Sequence, residues 1–161
     1  METKPDHSDA LGNIEASALR ILTLRDHSVL ELRRKLESRF PGEGEGVAGV
    51  IERLIAQGTL DDHRCAILLA EQLERRGQGP LRITQALRQR GLVRAAADPG
   101  GEDPLAALRR AYTKRFGTTP VVDARDRAKR MRFLAGRGFT HEQIHRFFRE
   151  VADPEKSCFH S

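Results

Sequence analysis

The sequence predicts an all-α protein, an elongated and curved tandem array of three three-helix repeats. Three observations point there. Apolar residues recur every three to four positions along most of the chain, and no alternating segment is long enough for a sheet. Each apolar run is opened by a capping side chain or closed by Gly or Pro. The third observation is a repeat. Leu87-Arg88-Gln89-Arg90-Gly91-Leu92 corresponds to Leu134-Ala135-Gly136-Arg137-Gly138-Phe139, 47 residues on. Leu36-Glu37-Ser38-Arg39-Phe40 is a shorter relative, 51 residues before the first. Such offsets suit units of three short helices, which stabilise one another through neighbour contacts.

The elements follow in order. Ile14, Ala18, Ile21 and Leu22 share one stripe of a first helix. Val29, Leu32 and Leu36 mark a second, opened by a capping box. In it the Ser28 oxygen accepts from the Glu31 N–H while the Glu31 carboxylate reaches back. Pro41 and Gly42 stop that helix. A third carries Val47, Val50, Ile51, Leu54 and Ile55 and ends at Gly58. Asp61 and Asp62 offer cap oxygens and negative charge to a fourth, with Ala66, Leu69, Ala70 and Leu73 inward. Gly77 and Gly79 close it, and Pro80 suits the first turn of a fifth, with Ile83 and Leu87 inward and Gly91 at its end.

A short sixth helix, Leu92 to Ala97, is cut by Asp98-Pro99-Gly100-Gly101. Asp103 and Pro104 restart the chain as a seventh, through Leu105, Leu108, Ala111 and Tyr112. After a loop at Gly117 to Pro120, an eighth runs from about Asp123 to Gly136 with Ala128, Met131 and Leu134 on one side. Thr140 caps a ninth, presenting Ile144, Phe147, Phe148 and Val151. The expected organisation is a disordered tail over 1–13, a first repeat over 14–60, and a second over 61–102 with a shortened third helix. A basic third repeat over 103–152 and a C-terminal tail over 153–161 complete it.

Composition fits this reading. Of 161 residues 39% are hydrophobic and only 5% aromatic, with no Trp and 32% charged, so the cores are aliphatic and thin. No stretch approaches the roughly 18 apolar residues of a membrane helix. The polar, acidic start, with Glu2, Asp6 and Asp9, argues against a targeting peptide. Cys65 and Cys158 lack a partner motif, which argues against a disulfide framework. A cytoplasmic protein is expected.

Net charge is +5, unevenly spread. From Leu105 to Arg149 twelve cations face three carboxylates, a local +9, which leaves −4 elsewhere. A one-sided basic field suits a polyanion or an acidic protein surface. Arg125, Lys129 and Arg132 share a stripe of the eighth helix, with Arg137 and Arg146 beyond. Arg33, Arg34 and Lys35 on the second helix, and Arg75 and Arg76 at the end of the fourth, could extend that stripe. These ten are the candidate contact residues, weighed against the plainer role of solubilising charge.

His141-Glu142-Gln143-Ile144-His145 matches H-E-x-x-H, in which two His one turn apart hold zinc and Glu activates its water. Here His141 falls in a first turn. Only 16 residues follow, where Asp153, Glu155, Cys158 and His160 lie in a tail with no core to fix them. The expectation is a solvated helix start, with no metal and no cofactor. Asp61 and Asp62 read as a cap, and Phe147-Phe148 as core rather than a stacking platform. No Ser/His/Asp order or Gly-rich phosphate loop is present, so nothing points to an enzyme.

Several of these segments together resemble a known family. Ser28-x-x-Glu31-Leu32-x-x-x-Leu36, then Leu54-x-x-x-Gly58-x-Leu60-Asp61-Asp62-x-Arg64-x-Ala66, resembles the N-terminal signature of the RecX recombination regulators. Gly79-Pro80-x-x-Ile83-x-x-x-Leu87-x-x-x-Gly91 and Phe133-Leu134-x-x-Arg137-Gly138-Phe139-x-x-x-x-Ile144 are similar to its middle and C-terminal signatures. The resemblance covers about Ile14 to Val151. It implies a tandem three-helix-repeat protein without catalytic activity, acting as a monomer. Its partner would be the RecA recombinase nucleoprotein filament, whose ATPase and strand exchange it suppresses, with weak DNA contact at most. Two departures stand out: Cys65 where the family usually carries an aromatic, and Ala95 to Gly101 in place of much of a sixth helix. The alternative is a stand-alone helical nucleic-acid binder, since short helices with tight turns are helix-turn-helix material. A small metal-dependent hydrolase is the third class.

Overall fold

The computed structural model describes residues 7–92 and 104–152, all of whose regular structure is α-helical. The eight helices are α1 (His7–Leu24), α2 (Val29–Arg39), α3 (Gly44–Ala56), α4 (Asp62–Arg75), α5 (Pro80–Gln89), α6 (Pro104–Phe116), α7 (Ala124–Gly136) and α8 (His141–Ala152). The all-α expectation holds. The expected sixth helix lies beyond Leu92 outside the described residues, as does the tail over 153–161. The first helix departs from expectation: α1 begins at His7, inside the stretch expected as a tail. Leu11 gives the reason, because it packs against the first core one turn before Ile14.

The chain divides into two compact units, and the boundary falls inside two helices. One unit runs through Ala66 and takes up the chain again at Arg88; the other holds Ile67–Leu87 and α6 to α8. In the first, Ile14, Ala18, Leu32, Leu36, Val47, Val50, Ile51, Leu54 and Leu60 form an aliphatic core between α1, α2 and α3. In the second, Leu105, Leu108, Leu134 and Ile144 pack with Tyr112, Phe139, Phe147 and Phe148. Tyr112 meets Phe147 at 5.0 Å and Phe148 edge-on at 6.0 Å, so the few aromatics are concentrated here. Both Phe147 and Phe148 are core, as the periodicity indicated.

The helix ends follow the sequence closely. Ser28 and Glu31 make the expected reciprocal capping box at α2. Thr140 and Gln143 make another at α8, each backbone N–H meeting the other's side chain. Asp123 accepts from the Asp126 N–H at 2.7 Å to start α7. Asp61 caps α4, accepting from His63 and Arg64 N–H, and those bonds hold its carboxyl below the usual range. Asp62 differs from expectation. Its carboxylate accepts from the Val29 N–H at 2.8 Å, so it serves the N-terminus of α2 rather than its own helix.

Helix α7 also departs in one respect. Ala128 is exposed, and the inward face is built from Arg130, Met131 and Leu134. Arg130 is only 4% exposed. Its guanidinium donates to the Tyr112 hydroxyl, to the carbonyls of Thr119 (2.8 Å) and Pro120 (3.0 Å), and pairs with Asp126 at 2.7 Å. A buried cation needs such partners, and here they fix the α6–α7 loop to both helices.

Candidate interaction surfaces

Each unit contains one joint where a helix start meets a helix end. In the first unit Ser28 Oγ donates to the Arg90 carbonyl at 2.6 Å while accepting from the Glu31 N–H. Glu31 in turn pairs with Arg25 at 3.1 Å and lies 3.6 Å from Arg90. Burial pushes the Glu31 carboxyl up, but the bonds from Arg25 and the Ser28 N–H, with the Arg90 charge, bring it below its usual range. His27, buried beside it, donates through Nδ1 to the Arg25 carbonyl and accepts from Lys35 Nζ at 2.9 Å through Nε2. Burial lowers its pKa, consistent with a neutral ring. Lys35, a sequence candidate for partner contact, is thus tied to His27.

In the second unit the Gly79 N–H donates to the Arg137 carbonyl at 2.7 Å, and the Leu81 N–H to the Gly138 carbonyl at 3.0 Å. The backbones almost touch. A Cβ on Gly79 would lie 2.5 Å from the Gly138 main chain, and Gly138 itself has φ +88°. Only glycine fits either place.

Around this second joint seven cationic side chains gather. The end of α4 contributes Arg75 and Arg76, and α6 contributes Arg109, Arg110, Lys114 and Arg115. Arg137 joins them from the end of α7, and together they line a groove of about 670 Å³ in which Glu74 is the only carboxylate among the described residues. Its apolar surface comes from Gly77, Ala111 and Phe133. Gly77 lets the two helices close up, because its missing Cβ would stand 3.3 Å from that of Ala111. Arg137 donates to the Arg76 carbonyl at 3.1 Å and stacks over Phe133 at 5.2 Å, so it braces the groove wall.

The expected stripe runs into this groove. Arg125, Lys129, Phe133 and Arg137 succeed one another at four-residue spacing along one face of α7, with Arg132 adjacent. Arg125, Lys129 and Arg132 are exposed. Among the described residues no hydrogen bond or ion pair engages their cationic groups, nor those of Arg33, Arg34 and Arg76. Other candidates have local partners: Arg75 pairs with Glu71 at 3.4 Å and Arg146 with Glu150 at 3.2 Å. Arg109, which the sequence reading passed over, also pairs with Glu150. The structure therefore brings Arg75, Arg76 and Arg137 together with the stripe, while Arg33, Arg34 and Lys35 belong to the other unit. Arg109, Arg110, Lys114 and Arg115 are all exposed, but their i, i+1, i+5, i+6 spacing spreads them around more than half of α6, so no single stripe announced them.

His141 and His145 are exposed, their ring centroids 6.5 Å apart. Among the described residues no three His, Cys, Asp or Glu side chains gather as a metal site, and no helix is long and apolar enough to cross a membrane. Asp153, Glu155, Cys158 and His160 lie outside the described residues. Cys65 is buried, and burial pushes its thiol up to about 11.

Comparison with known proteins places the chain in a family. The family model for the second three-helix domain of RecX matches residues 61–98, and that for the third matches residues 101–148. The regulatory protein RecX of Acidithiobacillus ferrooxidans is 44% identical over 129 residues, 80% of this chain and 84% of its own length. That of Halorhodospira halophila is 38% identical over 135 residues, covering 81% and 83%. The crystal structure of RecX from Lactobacillus salivarius superposes with a TM-score of 0.73 over 90% of this chain and 98% of its own, at 17% identity, a likeness of fold.

Proposed function

The chain belongs to the RecX family of regulatory proteins, and from that premise we propose that it binds the RecA recombinase on its DNA filament. There it inhibits ATPase and strand exchange and so restrains recombination and DNA repair. The observation that carries this reading is the cationic groove of the second unit, with the α7 stripe leading into it. Helical repeats that present cations along one side suit a partner that is itself long and anionic. Regulation by occupancy needs no chemistry of the protein's own, and it acts as a monomer in the cytoplasm, where the filament forms.

The test is a recombinase ATPase assay on single-stranded DNA with the protein titrated in. Inhibition that saturates is the expected result. No inhibition at saturating protein would remove the reading. Tight, salt-sensitive binding to bare strands without any ATPase effect would favour the stand-alone nucleic-acid binder.

A further inference from the structure

We propose that the groove between the end of α4 and the outer face of α6 takes an acidic peptide segment of a protein partner, anchored by one large apolar side chain. The inference rests on the preceding reading only in taking the partner to be a protein.

Charge chooses the class of ligand first. A rim carrying Arg75, Arg76, Lys114 and Arg115 attracts carboxylates or phosphates, and arginine forks hold either in pairs of hydrogen bonds. The floor then separates the two. The half-buried Phe133 offers apolar surface, the arginine stems add more, and Ala111 lies buried beneath them. A phosphodiester backbone has nothing to place there. A base could, but Phe133 makes a poor stacking platform: the Arg137 guanidinium covers it at 5.2 Å and Phe116 meets it edge-on at 5.3 Å. A volume of about 670 Å³ lies in the range of compact ligand pockets, so the groove suits a few side chains rather than a strand running through. An aliphatic or aromatic side chain flanked by Asp and Glu satisfies floor and rim together.

The experiment uses the full chain and a short fluorescein-labelled peptide of Asp and Glu with a central Leu-Phe pair, followed by anisotropy. Three results are expected. Replacing Leu-Phe by Gly-Gly in the peptide weakens binding at least about tenfold, the scale of burying one large apolar side chain. Thr113→Trp, which fills the groove from an exposed position on α6 without changing charge, weakens it as much. The pair Arg76→Glu and Lys114→Glu weakens it about tenfold or more while thermal melting stays that of wild type. Equal affinity for the two peptides would overturn the apolar anchor. Displacement of the peptide by oligo-dT at lower concentration than by unlabelled peptide would assign the groove to nucleic acid instead. Failure of the peptide to bind while filament ATPase is still inhibited would sink this proposal alone. Peptide binding without ATPase inhibition would sink the functional reading alone.

Discussion

Ser28 donates to the carbonyl of Arg90 at 2.6 Å, and the residues at the equivalent repeat positions, Gly79 and Arg137, are joined in the same way at 2.7 Å. In the first joint the donor is a side-chain hydroxyl and in the second a backbone N–H. Gly79 stands 51 residues after Ser28, and Arg137 stands 47 after Arg90, the two offsets of the sequence repeat. The same geometry is thus made with different atoms. In each case the start of one helix donates to a carbonyl at the end of another, which satisfies groups that helix ends leave open.

The second joint is the more demanding because main chain meets main chain. Gly79→Ala places a methyl 2.5 Å from the Gly138 backbone, which cannot swing aside as a side chain could. We expect a loss of about 2–3 kcal/mol, with melting lowered by about 5–10 °C. Gly136→Ala is the matched control, since nothing lies within 4 Å of its added Cβ and it is helical. That change should be neutral or stabilising by up to about 1 kcal/mol. Equal melting of Gly79→Ala and wild type would show that the joint does not form.

Leu36, Leu87 and Leu134 are buried at equivalent places, as the repeat requires. Leu87→Ala should cost about 2–5 kcal/mol, measured by urea unfolding. An unchanged midpoint would mean that Leu87 does not share the role of the other two.

What was legible in the sequence is what local chemistry decides. Apolar spacing, the Ser28–Glu31 and Thr140 caps and the glycine stops fixed the described helices to within a few residues, α1 apart. What was not legible depends on partners distant in the chain. Asp62 looked like a second cap for α4 because its bond to Val29 spans 33 positions. Arg130 was counted with the surface charge, although it lies four residues before Leu134 on the inward stripe. Asp126 one turn before it, the Tyr112 hydroxyl and two loop carbonyls together make burial of that cation tolerable, and all but Asp126 come from outside α7. The α7 stripe was read correctly as exposed, but its continuity with α6 through a groove needed tertiary structure.

Arg130 should therefore behave as a stability residue. Arg130→Met keeps length and removes the donors, leaving the Tyr112 hydroxyl unpaired in the core, with an expected loss of about 2–3 kcal/mol. Asp126 reports the same cluster through pH. The bond from Arg130 holds its carboxyl below the ordinary range. A depressed carboxylate stabilises the folded state above its unfolded pKa, about 4, and loses that contribution as pH falls through the lower folded value. Wild type should exceed Asp126→Asn in urea midpoint at pH 7, and the gap should close as pH falls through the lowered folded value. A gap that persists in acid would place the stabilisation elsewhere.

Cys65 gives a chemical probe of the first unit. With its thiol pushed up to about 11 and its side chain buried, it should resist iodoacetamide at pH 8 in native protein. A Cys158→Ser background isolates the signal. Labelling should track urea unfolding, and rapid labelling in native buffer would mean that α4 opens at its first turns.

The last prediction asks what the α7 stripe meets. If Arg125, Lys129 and Arg132 each neutralised a phosphate of single-stranded DNA, the log–log salt slope would carry about −2 from them, roughly a 20-fold loss of affinity between 50 and 200 mM salt. Changing all three to Ala would then abolish that part of the slope. If they face a protein filament instead, affinity for bare strands is weak at both salts, and the triple variant loses ATPase inhibition. We expect the second result. The stripe's one aromatic, Phe133, is already engaged by Arg137 and Phe116, so bases find little to stack on. All three side chains are exposed, so the variant should melt like wild type, and its loss of inhibition would report the surface rather than the fold. Full inhibition by the triple variant would move the partner surface off this face of α7.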